Sequence, residues 1–349
     1  MRVLYNEPLA PYTSFGVGGP AEILVLTDNS NELKQALFEY GDKITNTLGF
    51  GTNVLISDSG LRGVVVIARS NEIEIVDDEL IAASGVWWDD LVKFAISRGL
   101  FGVELLSGVP GGVGGAIYIN ITAYGQSASD SLEWIEVLDT ESLVFKKIMA
   151  KPLSWGYKDS VFQTDNYKNT FVVRAGFRLS KLKTHELTYQ SALDVANDLQ
   201  IETANLEARR HIILEARKRA GSLFEHGKGY EKTVGSFFRN PIVSESQAKK
   251  VINFDETGKT ARQIATMNKV HGGDELRVSA AHVMLAAGYS RGQIWNNVRL
   301  HPKNLLKIEN TGNASAQEIY NVAQDIIRNV DSKLGIQLEP EARILGEFA

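Results

Sequence analysis

Several features common in proteins are missing from this sequence of 349 residues. It has no cysteine, which excludes disulfides, thiol catalysis, zinc ribbons and cysteine-ligated clusters, and which fits a reducing compartment. No stretch approaches the roughly 18 uninterrupted apolar residues of a membrane helix. The first residues, MRVLYNEPLAPYT, lack the apolar core of a secretory signal. We therefore expect a cytoplasmic protein.

Positive charge is not in excess either. Lys and Arg number 37 against 42 Asp and Glu, a net charge of -5, so the field of the whole chain does not attract nucleic acid or an anionic membrane. The six histidines show no spacing typical of metal ligands, and no internal repeat is visible. With 44% apolar and 23% charged residues, the composition is that of a globular protein, and a small-molecule ligand is expected.

The pattern of strand-like and helix-like segments changes near the middle of the sequence. The first part contains short β-type runs such as 63–68 and 171–180, with a helical segment at 86–99 between them. The remainder mixes helical and strand patterns without a regular βαβ series. The change predicts an α+β protein with two domains, residues 1–182 and 183–349.

The clearest helix of the second part begins at Ser315. Ser315 and Glu318 have the spacing of a capping box, and Gly335 supplies a stop signal. A last strand is expected over 336–345, at an edge or a bend because it contains a proline. In that alternating strand Glu341 lies opposite the apolar positions, which predicts a solvent-facing carboxylate.

The strongest signal for chemistry is the glycine-rich segment SGVPGGVGG at 107–115. Glycine allows positive φ and lets a ligand approach backbone N–H groups, which can hold a phosphate. Such a segment can also be a flexible surface loop, but apolar sequence on both sides favours burial. Similar segments lie at 14–22 and 49–63, and none has a dinucleotide fingerprint or a Walker lysine. Three such loops favour a long ligand with a diphosphate.

Two other features are ambiguous from the residues alone. Ser236, in the segment GSFFRNP, belongs to no nucleophile motif, so a structural role is the simpler interpretation, although its hydroxyl could donate a proton. A basic run within one helical stretch is typical of a solvated helix face but could also meet a nucleotide diphosphate. Its members are Arg209, Arg210, Arg217, Lys218 and Arg219.

Taken together, these segments resemble the UDP-N-acetylenolpyruvoylglucosamine reductases, the bacterial MurB flavoenzymes of peptidoglycan precursor synthesis. The glycine segments alone indicate the wider vanillyl-alcohol-oxidase/PCMH type of FAD-binding fold, whereas GSFFRNP and LEPEARILG are more specific to the reductase. The matching segments follow the family's order over nearly the whole chain. They are PYTSFGVGGPAE, GFGTNVLISDSGLRGVVV, LLSGVPGGVGGAIYINITAYG, WGYKDSVF, VGSFFRNP and IQLEPEARILG.

The resemblance implies a two-part FAD-binding domain over 1–182, followed by an α+β substrate-binding domain over 183–349. The final strand, near 336–349, is expected to pack back toward the flavin. FAD would be bound non-covalently, and NADPH would donate hydride from the pocket that the substrate later enters. The implied cofactor-binding positions are Gly49, Gly51, Thr52, Asn53, Ser107, Gly108, Pro110, Gly111, Gly114, Gly115 and Asn120.

The resemblance also assigns roles to individual side chains. Ser236 is the implied proton donor, Glu341 its polar partner, and Lys158 the cation that faces the substrate carboxylate. Lys158 stands where the family usually has arginine, and Ala286 where it has glutamine. The implied substrate-binding positions are Tyr157, Tyr189 and Asn240.

The implied activity is the FAD-dependent, NADPH-driven reduction of UDP-N-acetylenolpyruvoylglucosamine to UDP-N-acetylmuramate. The expected enzyme is a cytoplasmic monomer that binds a sugar nucleotide, with no nucleic acid, membrane or metal partner. Two alternatives are open: an FAD-dependent sugar or alcohol oxidase of the same fold, and a flavin-binding protein without turnover. The absence of cysteine and of a flavin-linking histidine motif disfavours the oxidase.

Overall fold

A computed structural model describes residues 1–224, 231–255 and 275–349. Of the six histidines, His226 and His271 lie outside these ranges. No described helix combines the length and the apolar character needed to cross a membrane. The described α-helices are α1 (Ser30–Tyr40), α2 (Trp88–Ser97), α3 (Val113–Tyr118), α4 (Gln190–Leu199), α5 (Leu206–Arg219), α6 (Glu245–Asn253), α7 (Ala280–Ala286) and α8 (Ala316–Leu334).

The β-strands are short and concentrated in the first half. Those among the described residues are β1 (Arg2–Pro8), β2 (Pro20–Thr27), β3 (Ile44–Leu48), β4 (Val54–Ile56), β5 (Leu61–Ala68), β6 (Ile73–Val76), β7 (Glu79–Ala83), β8 (Thr122–Ala123), β9 (Gln126–Ser127), β10 (Leu132–Asp139), β11 (Phe145–Met149), β12 (Trp155–Gly156), β13 (Asp159–Ser160), β14 (Thr170–Arg178), β15 (Ile294–Trp295), β16 (Val298–Leu300), β17 (Ile308–Asn310) and β18 (Arg343–Leu345).

Two sheets form the first half. The first has the strand order β1-β2-β5-β3, in which β2, β5 and β3 are parallel. Its strand β5 confirms the run predicted at 63–68, and residues 64–67 are all buried. A nearly continuous apolar run is expected for a parallel strand that is covered on both faces.

The second sheet of this half is antiparallel, with the order β11-β10-β14-β7-β6. Its strand β14 confirms the strand predicted at 171–180, and α2 confirms the helix predicted at 86–99. Residues of α2, α3 and this sheet share one buried apolar cluster, which includes Trp88 and Phe177. The packing of α3 holds the glycine-rich segment that precedes it against the sheet.

The helices that follow residue 182 pack against the first half. Residues of α4 and α5 form an apolar cluster with Leu105. Arg209 of α5 donates a hydrogen bond to Glu104 over 2.6 Å, and neither side chain is exposed. The predicted domain boundary at residue 182 stays a prediction.

The second half is built around α8 and the three-stranded sheet β15-β16-β17. The capping box predicted at Ser315 and Glu318 is confirmed, and α8 ends at Gly335 with φ +67. Asp58, from the first half, accepts hydrogen bonds of 2.9 Å from the first two amide groups of α8. The two halves are therefore joined at the beginning of this helix.

The strand predicted over 336–345, at an edge or a bend, forms only in part. Pro340 forms an isolated bridge with Phe238, whereas β18 begins only at Arg343 and pairs in parallel with β4 of the first half. Proline has no amide N–H, so the segment changes partner at this point. The chain end thus connects the strand that follows Ser236 with the loop that precedes β4.

Candidate active site

A cavity of about 1370 Å³ lies where the first half of the chain meets the second. Typical small-molecule pockets measure roughly 300–1,000 Å³, so this cavity has room for a dinucleotide together with part of another ligand. Its lining includes residues 49–54 and the loop around 110–115. Lys158, residues 233–236 and Glu341 line the same cavity.

Glycine is required where the two loops approach their neighbours. Gly51 has φ +62, and a Cβ atom there would lie 1.9 Å from the carbonyl oxygen of Tyr12. Gly111 has φ +114, and its Cβ would lie 3.0 Å from Thr52 Oγ1 on the other loop. The loops can therefore meet only through glycine backbone.

Two other glycines leave space for a ligand. At Gly49 and Gly115 a Cβ atom would project into open space, with no other atom within 4 Å, and both residues line the cavity. A side chain at either position would fill volume that is now cavity. Exposed glycine backbone of this kind suits the diphosphate of a dinucleotide, so the residues present fit FAD.

Most of the predicted cofactor-binding residues lie in the cavity wall. These are Gly49, Gly51, Thr52, Asn53, Pro110, Gly111, Gly114 and Gly115. Asn53 also connects the loop at 49–53 with Glu341, because its side-chain amide donates a hydrogen bond to the carbonyl oxygen of Glu341 over 3.2 Å. Their role as FAD ligands stays a prediction.

Four predicted site residues lie outside the cavity lining. Ser107 donates to the carbonyl oxygen of Glu104, and the Gly108 amide donates to Asp89. Asn120 donates to Gly156 over 2.9 Å and so supports the hairpin that carries Lys158. The fourth, Tyr189, packs its ring 5.7 Å from that of Tyr124. The binding roles of Ser107, Gly108, Asn120 and Tyr189 stay predictions.

Lys158 and Glu341 form an ion pair in the cavity wall. Lys158 occupies the turn between β12 and β13 with φ +55, and its Nζ lies 2.8 Å from Glu341 Oε1. Their side chains are 19% and 12% exposed. Burial favours a lower pKa for Lys158, but Glu341 and Tyr157 together outweigh burial and raise it. The solvent-facing carboxylate predicted from alternation at Glu341 is therefore wrong.

Backbone pairing brings Ser236 next to this ion pair. Ser236 forms an isolated bridge with Lys307, and the amide of Glu341 donates to the carbonyl oxygen of Phe237 over 2.7 Å. Ser236 lines the cavity, and its hydroxyl has no hydrogen-bond partner among the described residues. The hydroxyl is therefore available to a ligand.

Tyr157 and Asn240 are connected beside Lys158. The Asn240 side-chain amide donates to the Tyr157 hydroxyl over 3.1 Å, and its oxygen accepts from the amide of Ala280. The Arg277 guanidinium lies 5.2 Å from the centre of the Tyr157 ring. Burial raises the pKa of Tyr157, so the phenol stays a hydrogen-bond donor. Sequence reasoning missed Arg277, because nothing in its local segment signals the contact.

The solvated face predicted for the basic run on α5 is wrong for three of its residues. Arg209 is sealed against Glu104, and Arg210 donates to both carboxylate oxygens of Asp89 over 2.7 and 2.8 Å. Burial favours a raised pKa for Asp89, but Arg210, the amide of Gly108 and Lys93 together outweigh burial and lower it. Arg217 lines the cavity.

A metal site is not part of this arrangement. Within the described ranges, no group of three or more His, Asp or Glu residues could hold a metal ion. The cavity instead combines glycine loops with a hydroxyl, a cation and a carboxylate. The fold and the cavity thus define an enzyme of the class that binds a nucleotide cofactor.

Comparison with known proteins narrows this class. The family model of the FAD binding domain matches residues 22–146, and that of the UDP-N-acetylenolpyruvoylglucosamine reductase C-terminal domain matches residues 217–345. The Mycobacterium marinum UDP-N-acetylenolpyruvoylglucosamine reductase is 30% identical over 364 residues, which cover 99% of this chain and 96% of the relative. The Vibrio cholerae reductase is 29% identical with the same coverage. The chain belongs to the UDP-N-acetylenolpyruvoylglucosamine reductase family.

A solved structure supports the fold over the same length. The crystal structure of the UDP-N-acetylenolpyruvylglucosamine reductase (MurB) from Thermus caldophilus matches with a TM-score of 0.65 and 22% identity. The match covers 99% of this chain and 98% of that one. The FAD-binding domain and the following α+β domain expected from the sequence are thereby confirmed.

Proposed function

We propose that this protein catalyses the NADPH-driven, FAD-dependent reduction of UDP-N-acetylenolpyruvoylglucosamine to UDP-N-acetylmuramate. The single observation that carries the proposal is the cavity itself. Its lining combines glycine loops that fit FAD with the Lys158–Glu341 ion pair and Ser236. Membership of the reductase family supports the substrate and the cosubstrate.

The glycine loops would hold the cofactor. Gly49, Gly51, Gly111 and Gly115 expose backbone to the cavity or let the loops meet, which fits a diphosphate. FAD, when bound, supplies hydride transfer from NADPH to the enolpyruvyl group. The protein residues must then bind the substrate, stabilise the charge that develops on it and deliver a proton.

Reduction of the enolpyruvyl double bond requires a hydride at the methylene carbon and a proton at the carbon next to the carboxylate. Ser236 supports the role of proton donor, because its hydroxyl lines the cavity and has no partner among the described residues. Glu341 lines the same cavity, and its amide donates a hydrogen bond to the carbonyl oxygen of Phe237, the residue after Ser236. Glu341 would orient the hydroxyl and later help to restore its proton.

Negative charge accumulates on the substrate carboxylate as the hydride arrives. Lys158 is one of the cations that line the cavity, and its ammonium group lies 2.8 Å from Glu341. A fixed cation in a partly buried site stabilises developing charge without reorganising during the reaction. Tyr157 and Asn240 would hold the substrate beside it, because both line the cavity and are hydrogen-bonded to each other.

Anaerobic half-reactions test the proposal. The purified yellow protein should bleach when NADPH is added, and the colour should return when UDP-N-acetylenolpyruvoylglucosamine is added. UDP-N-acetylmuramate should then appear in equal amount. Reoxidation by oxygen with a sugar or an alcohol as electron donor would indicate an oxidase instead. A bound flavin that NADPH cannot reduce would indicate a flavin-binding protein without turnover.

The proposal includes a non-covalent flavin and a cytoplasmic, monomeric enzyme. The sequence supports the first point, because it has no cysteine that could attach the flavin. Heat denaturation should release the flavin into the supernatant, and flavin retained in the precipitate would contradict this point. Light scattering of the purified holoenzyme should give a mass near 38.4 kDa.

A further inference from the structure

Arg217, in the last turn of α5, carries a charge that no described residue neutralises. Its Nη2 donates to the carbonyl oxygen of Ser222 over 3.0 Å, whereas its buried Nε has no hydrogen-bond partner. Among the described residues no carboxylate lies within ion-pair distance of it. Arg217 lines the cavity, so its guanidinium can be reached from there.

Its neighbours on the same turn behave differently. Lys218 is 70% exposed and lies 3.8 Å from Glu215, and Arg219 is paired with Asp198 at 2.6 Å. Cations at a helix C-terminus are expected because they interact favourably with the helix dipole. That explanation accounts for Lys218 and Arg219, which face solvent. It does not explain why Arg217 turns inward toward the cavity.

The other buried cations of the cavity wall already have partners. Lys158 is paired with Glu341, and Lys307 with Glu231. Asp89 acts on Arg217 only at a distance, because it is held by Arg210 and by the amide of Gly108. Burial lowers the pKa of Arg217, yet a guanidinium stays protonated in proteins. Arg217 is therefore a desolvated charge without a counter-charge, which is costly unless a ligand supplies one.

The surroundings of Arg217 contain further hydrogen-bond donors. Burial raises the pKa of Tyr124, and the charge of Arg217 opposes this rise. Tyr124 packs against Tyr189, whose pKa burial raises to about 12. The stem of Arg217 lies against the glycine-rich loop, because a Cβ at Gly108 would lie 3.4 Å from Arg217 Cδ. A guanidinium that lines the cavity and keeps a buried donor without a partner matches an anion with several acceptor oxygens.

We infer that Arg217 binds the diphosphate of the sugar-nucleotide substrate. The inference rests on the proposed function and adds a residue to it. Lys158 would face the enolpyruvyl carboxylate, and Arg217 would face the diphosphate, so two anionic groups of one substrate are recognised by different cations. The planar guanidinium can donate two parallel hydrogen bonds to phosphate oxygens, which the ammonium of a lysine cannot.

Binding of UDP to the oxidised holoprotein tests this inference without turnover. UDP, with uridine as the phosphate-free reference, is titrated by calorimetry into the parent and into Arg217→Gln, Arg217→Lys and Lys218→Gln. We expect Arg217→Gln to raise the Kd for UDP about tenfold to a hundredfold and to leave uridine binding unchanged. Arg217→Lys should recover part of the affinity. Lys218→Gln, on the exposed side of the same turn, should match the parent.

Flavin content and salt dependence complete the test. FAD occupancy should be equal in all variants, and the salt dependence of UDP binding should be weaker in Arg217→Gln. An unchanged Kd for UDP in Arg217→Gln overturns the inference. A loss of FAD from this variant while UDP binding stays intact also overturns it, because Arg217 would then bind the cofactor. If Arg217→Gln does not fold, equal UDP affinity of Arg217→Lys and the parent also overturns it. A third outcome separates the two proposals: UDP binding depends on Arg217, but NADPH does not bleach the flavin. That outcome would refute the proposed function and leave the inference about Arg217 intact.

Discussion

Two ion pairs join distant parts of this chain, and their surroundings differ. Lys158 and Glu341 meet at 2.8 Å in the cavity wall, where both side chains remain partly exposed. Arg209 and Glu104 meet at 2.6 Å with no exposure at all. Glu104 also accepts from the amide of Gly102, and Arg209 donates to the carbonyl oxygen of His185. The second pair is thus enclosed by protein groups on all sides.

The difference separates a pair that can change partners from one that cannot. A ligand in the cavity can reach Lys158 and compete for its charge, whereas no ligand can reach Arg209. Removing one partner of a sealed pair leaves an uncompensated buried charge and costs about 3–5 kcal/mol of stability. Loss of the cavity-facing pair should instead appear mainly in the reaction. Substitutions at four positions test this contrast.

The largest effect is expected beside the cavity-facing pair. Ser236→Ala removes the implied proton donor, so reoxidation of the reduced flavin by the enolpyruvyl substrate should slow by about 10²–10⁴. Flavin reduction by NADPH should stay nearly unchanged, because the proton is needed only on the substrate carbon. Stopped-flow measurement of each half-reaction checks this. Equal slowing of both halves would return Ser236 to a structural role, and Ser246→Ala on the surface is the control.

The sealed pair should respond in stability and not in chemistry. Glu104→Gln leaves the charge of Arg209 buried without its carboxylate, and we expect a loss of about 3–5 kcal/mol in the free energy of unfolding. Urea denaturation of the holoenzyme measures it. Glu186→Gln is the matched control, because Glu186 pairs with Lys183 on the surface. A variant as stable as the parent would show that the pair contributes little.

Local signals in the sequence predicted part of this arrangement. The capping box of Ser315 with Glu318, and the stop at Gly335, define α8 because both depend on residues three or four positions apart. The glycine loops were predicted for a similar reason, since close glycines mark exposed backbone. Such features can be predicted without knowing which distant segments of the chain contact each other.

The partners of the ion pairs could not be predicted in this way. Glu104 is 105 residues from Arg209, so helical periodicity alone placed that arginine in solvent. At Glu341 the alternation argument assumed one continuous strand, whereas Pro340 changes the pairing partner. The resemblance to the reductase family identified Glu341 and Lys158, because it carries long-range information that spacing lacks.

Lys158 tests the cavity-facing pair directly. Lys158→Ala removes the cation opposite the substrate carboxylate, and we expect the substrate half-reaction to slow about a hundredfold, as for loss of one fixed charge-stabilising group. Lys158→Arg should retain or raise the rate, because a guanidinium adds a second parallel hydrogen bond. Stopped-flow reoxidation decides the matter. Lys146→Ala, at an exposed ion pair, should behave like the parent. Substrate reduction by Lys158→Ala at the parent's rate would show that position 158 carries no catalytic charge.

The smallest effect concerns His185, at the border of the sealed pair. Its Nε2 lies 3.1 Å from Asp130, whose hydrogen bond raises the pKa of His185 despite burial; Glu104 also raises it, and Arg209 lowers it. Because the folded pKa exceeds the unfolded value of about 6.5, the stabilisation is complete below that value and is lost as pH rises through the folded pKa. Asp130→Asn should therefore lower the free energy of unfolding by less than about 1 kcal/mol. The loss should be larger at about pH 6 than at about pH 9. Urea unfolding of the holoenzyme at both pH values measures it. An equal cost at both pH values would show that His185 does not titrate against Asp130.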